Sequence, residues 1–229
     1  MRKDSTKRPP KTDEKKAAAP RRRLRAVNRE QQIVDEAVNF FAEKGFSGQT
    51  RELATRLGIT QPLLYRYFPT KRDLIERVFD EVYLNRESPD WSSLLTDRSR
   101  PLHDRLCDFY SSYAEMTYRY EWIRIYMFSA LMGEKLNRRY IKVVEKNILT
   151  PMVAELRDYC GQPTIEEKPI RQIELDHIWV MHGGLFYYAI RKHIYHGRVS
   201  KDFAAIVSRA VAVMLAGSKA VSAEQESND

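Results

Sequence analysis

Apolar residues recur three and four positions apart through residues 102–160 and again through 170–217, and no run keeps a strand's two-residue alternation for long. That period predicts helices on both stretches and an all-α chain. A similar spacing opens the folded part. Asn28 and Gln31 make an approximate capping box, and Ile33, Ala37, Phe40 and Phe41 give the helix that follows an apolar face. The pattern breaks between 85 and 101, where Pro89, Pro101 and several Ser and Asp read as a linker, with Trp91, Leu94 and Leu95 docking on the body. Gly161, Pro163 and Pro169 mark a second loop.

The most specific local pattern is TRELATRLGITQPLLYRYFPTKRDL, residues 50–74. Leu53, Ala54 and Leu57 fall on one side of a short helix whose N-cap is Thr50 or a neighbour, and Gly58 stands where a left-handed C-cap ends it. Ile59 turns into the core. Thr60 can cap the next helix with its hydroxyl, and Pro62 is tolerated in the first turn, where its missing N–H would be an orphan donor anyway. Leu64 and Phe68 supply the buried side. Gln61, Leu63, Tyr65 and Arg66 are left outside with Tyr67 at the flank, a mixture with little reason to exist on a plain solvated face.

Two short helices at a sharp turn with such a surface suit the major groove. A recognition helix reaches bases with its N-terminal residues, and Gln61 matches the donor and acceptor pair of adenine. Arg51 can reach a guanine or a phosphate, and Leu63 can meet a thymine methyl. Tyr65, Tyr67 and Lys71 suit phosphates, which fix register without reading sequence; Tyr67 fits a core-edge aromatic equally well. Thr60, Pro62 and Arg66 complete the expected DNA-facing set.

The run resembles the DNA-binding domain of the TetR family of bacterial transcriptional regulators. Phe41 and Gly45-Phe46 match the end of that family's first helix, Leu53-Ala54 and Leu57-Gly58-Ile59 its second helix and turn, and Tyr65, Tyr67-Phe68, Thr70-Lys71 and Leu74 its recognition helix and the start of a fourth. The likeness covers roughly residues 29–83. Two features depart from it: one residue fewer between Gly45-Phe46 and Leu53-Ala54, and the Gln61-Pro62-Leu63-Leu64 opening of the recognition helix. Different residues there imply a different operator.

Charge adds one element. Residues 1–28 hold eleven Lys or Arg against three Asp or Glu and so carry the whole +8 of the chain, while the remainder has as many acidic as basic residues. A polar, Pro-containing tail with few large apolar residues cannot bury enough surface to fold alone, so residues 1–27 are expected to be disordered and to attach electrostatically to DNA, or simply to aid solubility. The division expected is tail 1–27, helix-turn-helix domain 28–83, linker 84–101, helical effector-binding and dimerisation domain 102–218, and a second disordered tail 219–229. The N-terminus lacks the apolar core of a secretory signal, no stretch reads as long and apolar enough to span a membrane, and a cytoplasmic protein is expected.

Residues 177–190, HIWVMHGGLFYYAI, contain no Asp, Glu, Lys or Arg. A helix apolar all round must be covered all round. A second copy can cover one side, with Gly183 and Gly184 permitting close approach, and Phe203, Ile206, Val207, Ala210, Val211 and Met214 extend the theme. The resemblance implies that these last two helices form a four-helix dimer interface and that a palindromic operator is bound. It also implies an effector held between linker and dimer helices. There the chain has Tyr110, Tyr113, Met116, Tyr120, Trp122, Tyr126, Met127, Met132, Trp179 and Phe186, soft walls for a largely apolar ligand, with His182, Tyr187 and Arg124 as candidate anchors. Aromatic and Met residues at helical spacing fit an ordinary core just as well.

Other chemistries find little support. A carboxylate-bridged di-iron site needs Glu-x-x-His on two helices plus two further Glu, and only Glu174 to His177 has that spacing. His193 and His196 sit at a basic helix end. Cys107 and Cys160 read as free thiols, and no phosphate loop, dinucleotide fingerprint or Ser nucleophile motif is present. The reading is a ligand-responsive repressor without enzymatic activity or cofactor. The alternatives are a DNA-binding protein without effector and a helical metal-dependent enzyme.

Overall fold

The computed structural model describes residues 18–84, 90–132 and 136–226. Eleven α-helices run through the described residues: α1 Ala18–Lys44, α2 Thr50–Arg56, α3 Gln61–Tyr67, α4 Lys71–Tyr83, α5 Trp91–Thr96, α6 Leu102–Thr117, α7 Tyr120–Leu131, α8 Leu136–Val144, α9 Thr150–Tyr159, α10 Gln172–His193 and α11 Phe203–Glu226. The first four form a small head and the rest a larger body.

Helix α1 begins ten residues before Asn28. The segment AAPRRRLRAV has Ala, Leu and Arg, all strong helix formers, and Pro20 falls in the first turn, where it costs no hydrogen bond. Asn28 and Gln31 are therefore interior residues rather than a capping box. Gln31 works across helices, donating to Glu81 Oε1 at 3.1 Å and accepting from Arg77 Nη2 at 3.2 Å, which ties α1 to α4. The remaining part of the expected basic tail, residues 1–17, lies outside the described residues. At the other end α11 continues through residues expected to be a disordered tail, as far as Glu226. The linker contains a helix of its own, α5, capped by Asp90 and buried through Leu95.

Helices α8 and α9 are one rod interrupted by a wide turn at Glu145–Leu149. Pro151 explains it: the proline lacks an N–H and its ring crowds the carbonyl four residues back, so the helix widens before it resumes. Ion pairs around Glu155 and Glu174 set the body's geometry. Arg105, almost fully buried on α6, donates to the Leu95 carbonyl at the end of α5 and to Glu155 Oε2 on α9 at 2.7 Å, and Arg98 closes on Glu155 Oε1 at 3.0 Å. Arg157 grips Glu174 with two bonds of 2.7 and 2.9 Å and donates to the carbonyls of Pro163, Thr164, Lys168 and Pro169, holding the loop between α9 and α10.

Head meets body along α1 and α7. Gly45 ends α1 with φ +73°, donating to the Phe41 carbonyl at 2.9 Å, and a Cβ there would crowd the Phe128 ring at 3.1 Å. Arg124, one helical turn before Phe128, donates to the carbonyls of Ala42 and Glu43 and lies over both Tyr120 and Phe128. It is a cation on the last-turn carbonyls of α1, where a positive charge is favoured. The expectation that Arg124 anchors a ligand is corrected here, since its guanidinium is spent on the head.

Residues 203–222 of α11 also overturn the expectation that no segment is long and apolar enough to cross a membrane: their mean hydropathy is 1.5 and 28% of the stretch is buried. Ala and Val dominate it, with Arg209 and Lys219 as its charges.

The Arg157–Glu174 pair predicts an acid-dependent part of the stability. Hydrogen bonding from Arg157 holds the Glu174 carboxyl down to about 2 from an ordinary 4.5. A carboxyl with a depressed folded-state value contributes stability above its unfolded value and loses it as pH falls from 4.5 towards 2. Glu174→Gln is expected to cost roughly 1–3 kcal/mol at neutral pH. In denaturant titrations the gap from the parent should close between pH 5 and pH 2; a gap constant with pH would remove the ion pair as its cause.

Candidate nucleic-acid interface and ligand cavity

The turn between α2 and α3 follows from three residues. Gly58 takes φ +62°, its N–H donates to the Thr55 carbonyl at 3.1 Å, and the Ile59 N–H reaches back to Ala54 at 3.0 Å, closing α2 in the paired pattern of a Schellman motif. Thr60 then caps α3, its hydroxyl accepting from the Leu63 N–H at 3.4 Å, with Pro62 in the first turn. Leu53, Ala54, Leu64 and Phe68 bury the inner faces. Thr70 and Asp73 make a full capping box that starts α4 directly afterwards.

Of the two expected choices for the N-cap of α2, Thr50 or a neighbour, it is the neighbour Gln49, which makes no side-chain cap bond. The Thr50 hydroxyl points across to α3, where it accepts from Gln61 Nε2 at 3.0 Å and pairs with the Tyr65 hydroxyl at 2.9 Å. Sequence reasoning missed this hub, because a Thr at a helix start reads as a cap. Its effect is to hold Gln61 and Tyr65, one turn apart on α3, in fixed positions beside Arg51. Leu63 is half-buried, Arg66 is exposed over the Tyr67 ring at 5.8 Å, and Tyr67 packs on the core edge.

Charges sort by surface. Arg56 is neutralised by Glu36, Glu43 and Glu52, Lys44 by Glu52, and Arg77 by Glu30 and Glu81. Arg51, Arg66 and Lys71 have no carboxylate partner among the described residues. These three belong to the set expected to face DNA, although Arg29 on α1 is likewise without a carboxylate partner among the described residues, and an unpaired cation loses no ion pair when it meets a phosphate.

The body holds a cavity of about 350 Å³ where α4 ends against α5, α6, α7 and the α8–α9 rod. Of the residues expected to hold a ligand, Met116 and Trp122 line it. Tyr126 and Phe186 stand one layer behind, Tyr126 stacked on Trp122 at 5.3 Å and Phe186 edge-on to both. Tyr110 and Tyr113 are fully buried core, and Met127 and Trp179 pack partly buried against it. His182 lies buried against Tyr110, Tyr113 and Trp179, its Nδ1 without a partner among the described residues, and burial pushes it down to about 4, so its ring is neutral. These residues were expected to be ligand walls and are instead one continuous aromatic layer behind the cavity, because each large ring satisfies its neighbour. The walls the sequence did not reveal are Tyr83, Trp91, Tyr140 and Asn147.

Residues 33–78 match the family model for bacterial regulatory proteins of the tetR family. The head is a TetR-family DNA-binding domain. Over 67 residues the chain is 33% identical to the HTH-type transcriptional regulator LuxR of Vibrio harveyi, a match covering 29% of this chain; the chain spans about a third of that relative's length. The whole architecture is similar to two solved structures. One, from Mesorhizobium loti, is assigned to the TetR family of transcriptional regulators and aligns over 86% of this chain and 98% of its own with TM-score 0.53 and 16% identity. The other is AmtR of Mycobacterium smegmatis, over 86% and 94%, with TM-score 0.52 and 19% identity. The fold of head and body together is thus that of TetR-type proteins.

Within the TetR-type head, the Thr50 hub yields a prediction. Holding Gln61 and Tyr65 in place before DNA arrives spares ordering entropy of about 0.5–1.5 kcal/mol per side chain. Thr50→Val keeps the shape and removes the hydroxyl. It should lower the ratio of cognate to scrambled DNA affinity by several-fold in gel-shift titrations, with the melting temperature nearly unchanged. An unaltered ratio would mean the hub does not prepare the reading surface.

Proposed function

We propose that this protein is a homodimeric transcriptional regulator that binds a palindromic operator through two TetR-type heads and releases it when a small, largely apolar molecule enters the body. It acts as a repressor in the cytoplasm, needing no cofactor and catalysing no reaction. The observation that carries this reading is the outer surface of α3 and the start of α2, where Gln61, Leu63 and Tyr65 stand beside Arg51, Arg66 and Lys71, which have no carboxylate partner among the described residues. Such a surface combines base-reading groups with phosphate clamps.

Dimerisation is supported by what α10 and α11 leave uncovered. Ile173, Val180 and Tyr187, seven apart on α10, are exposed, as are Val213 and Val221 on α11. Gly183, Gly184 and Gly217 have open space where a Cβ would stand. This is room for another helix to approach, and it gives the apolar α11 a protein partner in place of lipid. Two heads then sit at a spacing set by the bundle, which must be about 34–36 Å for successive major grooves on one face of DNA.

The cavity supports the effector. It is bounded by Val82, Tyr83 and Leu84 at the C-terminal end of α4, whose other end follows the recognition helix. A molecule there can tilt α4 and change the spacing of the heads, provided that it binds the released state more tightly than the DNA-bound one.

Genome-wide mapping of bound sites supplies the operator for two tests. Gln61→Ala should shift the preferred sequence at one position by about 1–3 kcal/mol, whereas Lys71→Ala should weaken all sequences alike and reduce the salt slope by about one. Equal losses on cognate and scrambled DNA for Gln61→Ala would take that residue out of the reading role. Val180→Lys combined with Val213→Lys should give a monomer by sedimentation, with tight operator binding lost. A double variant that stays dimeric would place the interface elsewhere.

A further inference from the structure

The cavity at the end of α4 has an unusual lining. Four aromatic side chains from four helices border it: Tyr83 of α4, Trp91 of α5, Trp122 of α7 and Tyr140 of α8. The polar atoms of three of them are already committed, and Trp122 Nε1 has no partner among the described residues. The Tyr83 hydroxyl donates to the Trp122 carbonyl at 2.6 Å, the Tyr140 hydroxyl pairs with Tyr113 at 2.8 Å, and Trp91 Nε1 donates to Ser112 Oγ at 3.3 Å. Three of the rings meet edge to face, Tyr83 with Trp122 at 4.8 Å, and Tyr140 with each of these at 5.4 Å. A ligand therefore meets mainly π surface on this wall, with the Trp122 indole N–H as its one uncommitted ring donor among the described residues.

Charge narrows the choice. Among the described residues Asp90 is the one ionisable acid in the lining, and no Lys, Arg or His lines it. Both Asp90 oxygens are oriented by Ser93, accepting from its N–H at 3.1 Å and from its hydroxyl, and these bonds hold the carboxyl below its usual range, so it is ionised. The wide turn before Pro151 brings Asn147 to the lining, and its amide pairs with nothing among the described residues. An anion entering here would face Asp90 and the negative faces of the rings with no compensating cation among the described residues. A positive charge meets the reverse, because ring quadrupoles and a carboxylate together replace part of its hydration.

We propose that this cavity takes a monovalent organic cation with an apolar or aromatic body, its charge held against the π systems of Tyr83, Trp91, Trp122 and Tyr140 with Asp90 at the mouth. Met116, Val144 and Ile148 face the body. A cavity of about 350 Å³ is at the small end of the range for ligand sites, which favours a compact molecule. The consequence for DNA rests on the reading of this cavity as the effector site.

The test compares two molecules of one shape, phenyltrimethylammonium and its uncharged isostere tert-butylbenzene, by calorimetric titration of the full-length protein. The cation is expected to bind about tenfold more tightly. Asp90→Asn keeps a good helix cap and should lower cation affinity about threefold while leaving the isostere unchanged. Trp91→Leu should reduce the preference for the cation further, and Trp91→Phe, which keeps a ring, should restore most of it. Equal or tighter binding of the isostere, or no binding of the cation, overturns the inference. Operator titrations separate it from the parent reading. Cation binding that obeys these variants but leaves DNA affinity untouched supports the site and sinks the effector role. DNA release by uncharged compounds with no preference for the cation does the opposite.

Discussion

The joint between α1 and α7 is the contact on which the placement of the head depends. The Arg124 guanidinium sits on the last carbonyls of α1, and the Phe128 ring stands 3.1 Å from where a Cβ at position 45 would be, so a side chain there would crowd it. The two constraints reinforce each other. Gly45 is required both for the left-handed turn that ends α1 and for the closeness of the ring, so one residue serves the chain's direction and the packing between head and body. Phe46 then continues the contact, tilted against Phe128 at 6.4 Å. Since α1 also carries Ile33, Val34, Ala37, Phe40 and Phe41 into the head's core, whatever moves α7 moves the base on which α2 and α3 are mounted.

The head was legible from its sequence because its signals are local. Gly58, Thr60 and Pro62 each state a backbone requirement within one or two residues of where it is met, and no distant contact is needed to interpret them. The exceptions in the head are long-range. Gln31 looked like part of a cap until Glu81 and Arg77 claimed it, and Thr50 looked like a cap until Gln61 and Tyr65 did.

The body was legible as helices and much less so as a site. Its apolar period separates inside from outside, but inside there is no sequence signal that divides a wall lining empty space from a wall lining another ring. Tyr110 and Tyr113 are as aromatic as Tyr83 and Tyr140, and only packing decides that the first pair is core and the second borders the cavity. Arg124 failed for a related reason. A lone cation in an aromatic helix reads as a ligand anchor, and its true acceptors are backbone carbonyls some eighty residues earlier, which leave no mark on the residue types around them.

The cavity and the joint share one helix. Trp122 and Arg124 are two residues apart on α7, about 200° around the axis, so the side that borders the cavity and the side that holds the head face away from each other. The Tyr83 hydroxyl, bonded to the Trp122 carbonyl, fastens the end of α4 to the same turn. A ligand that shifts Trp122 therefore strains two attachments of the head at once, the carbonyl seat of Arg124 and the end of α4. The required energy is modest. A coupling of about 1–3 kcal/mol is enough to change occupancy of DNA several-fold or more, and a single hydrogen bond to a charged group is worth about 1.5–3 kcal/mol. On the proposed reading, the seat of Arg124 on α1 is thus of the right size to be the contact that distinguishes a DNA-bound state from a released one.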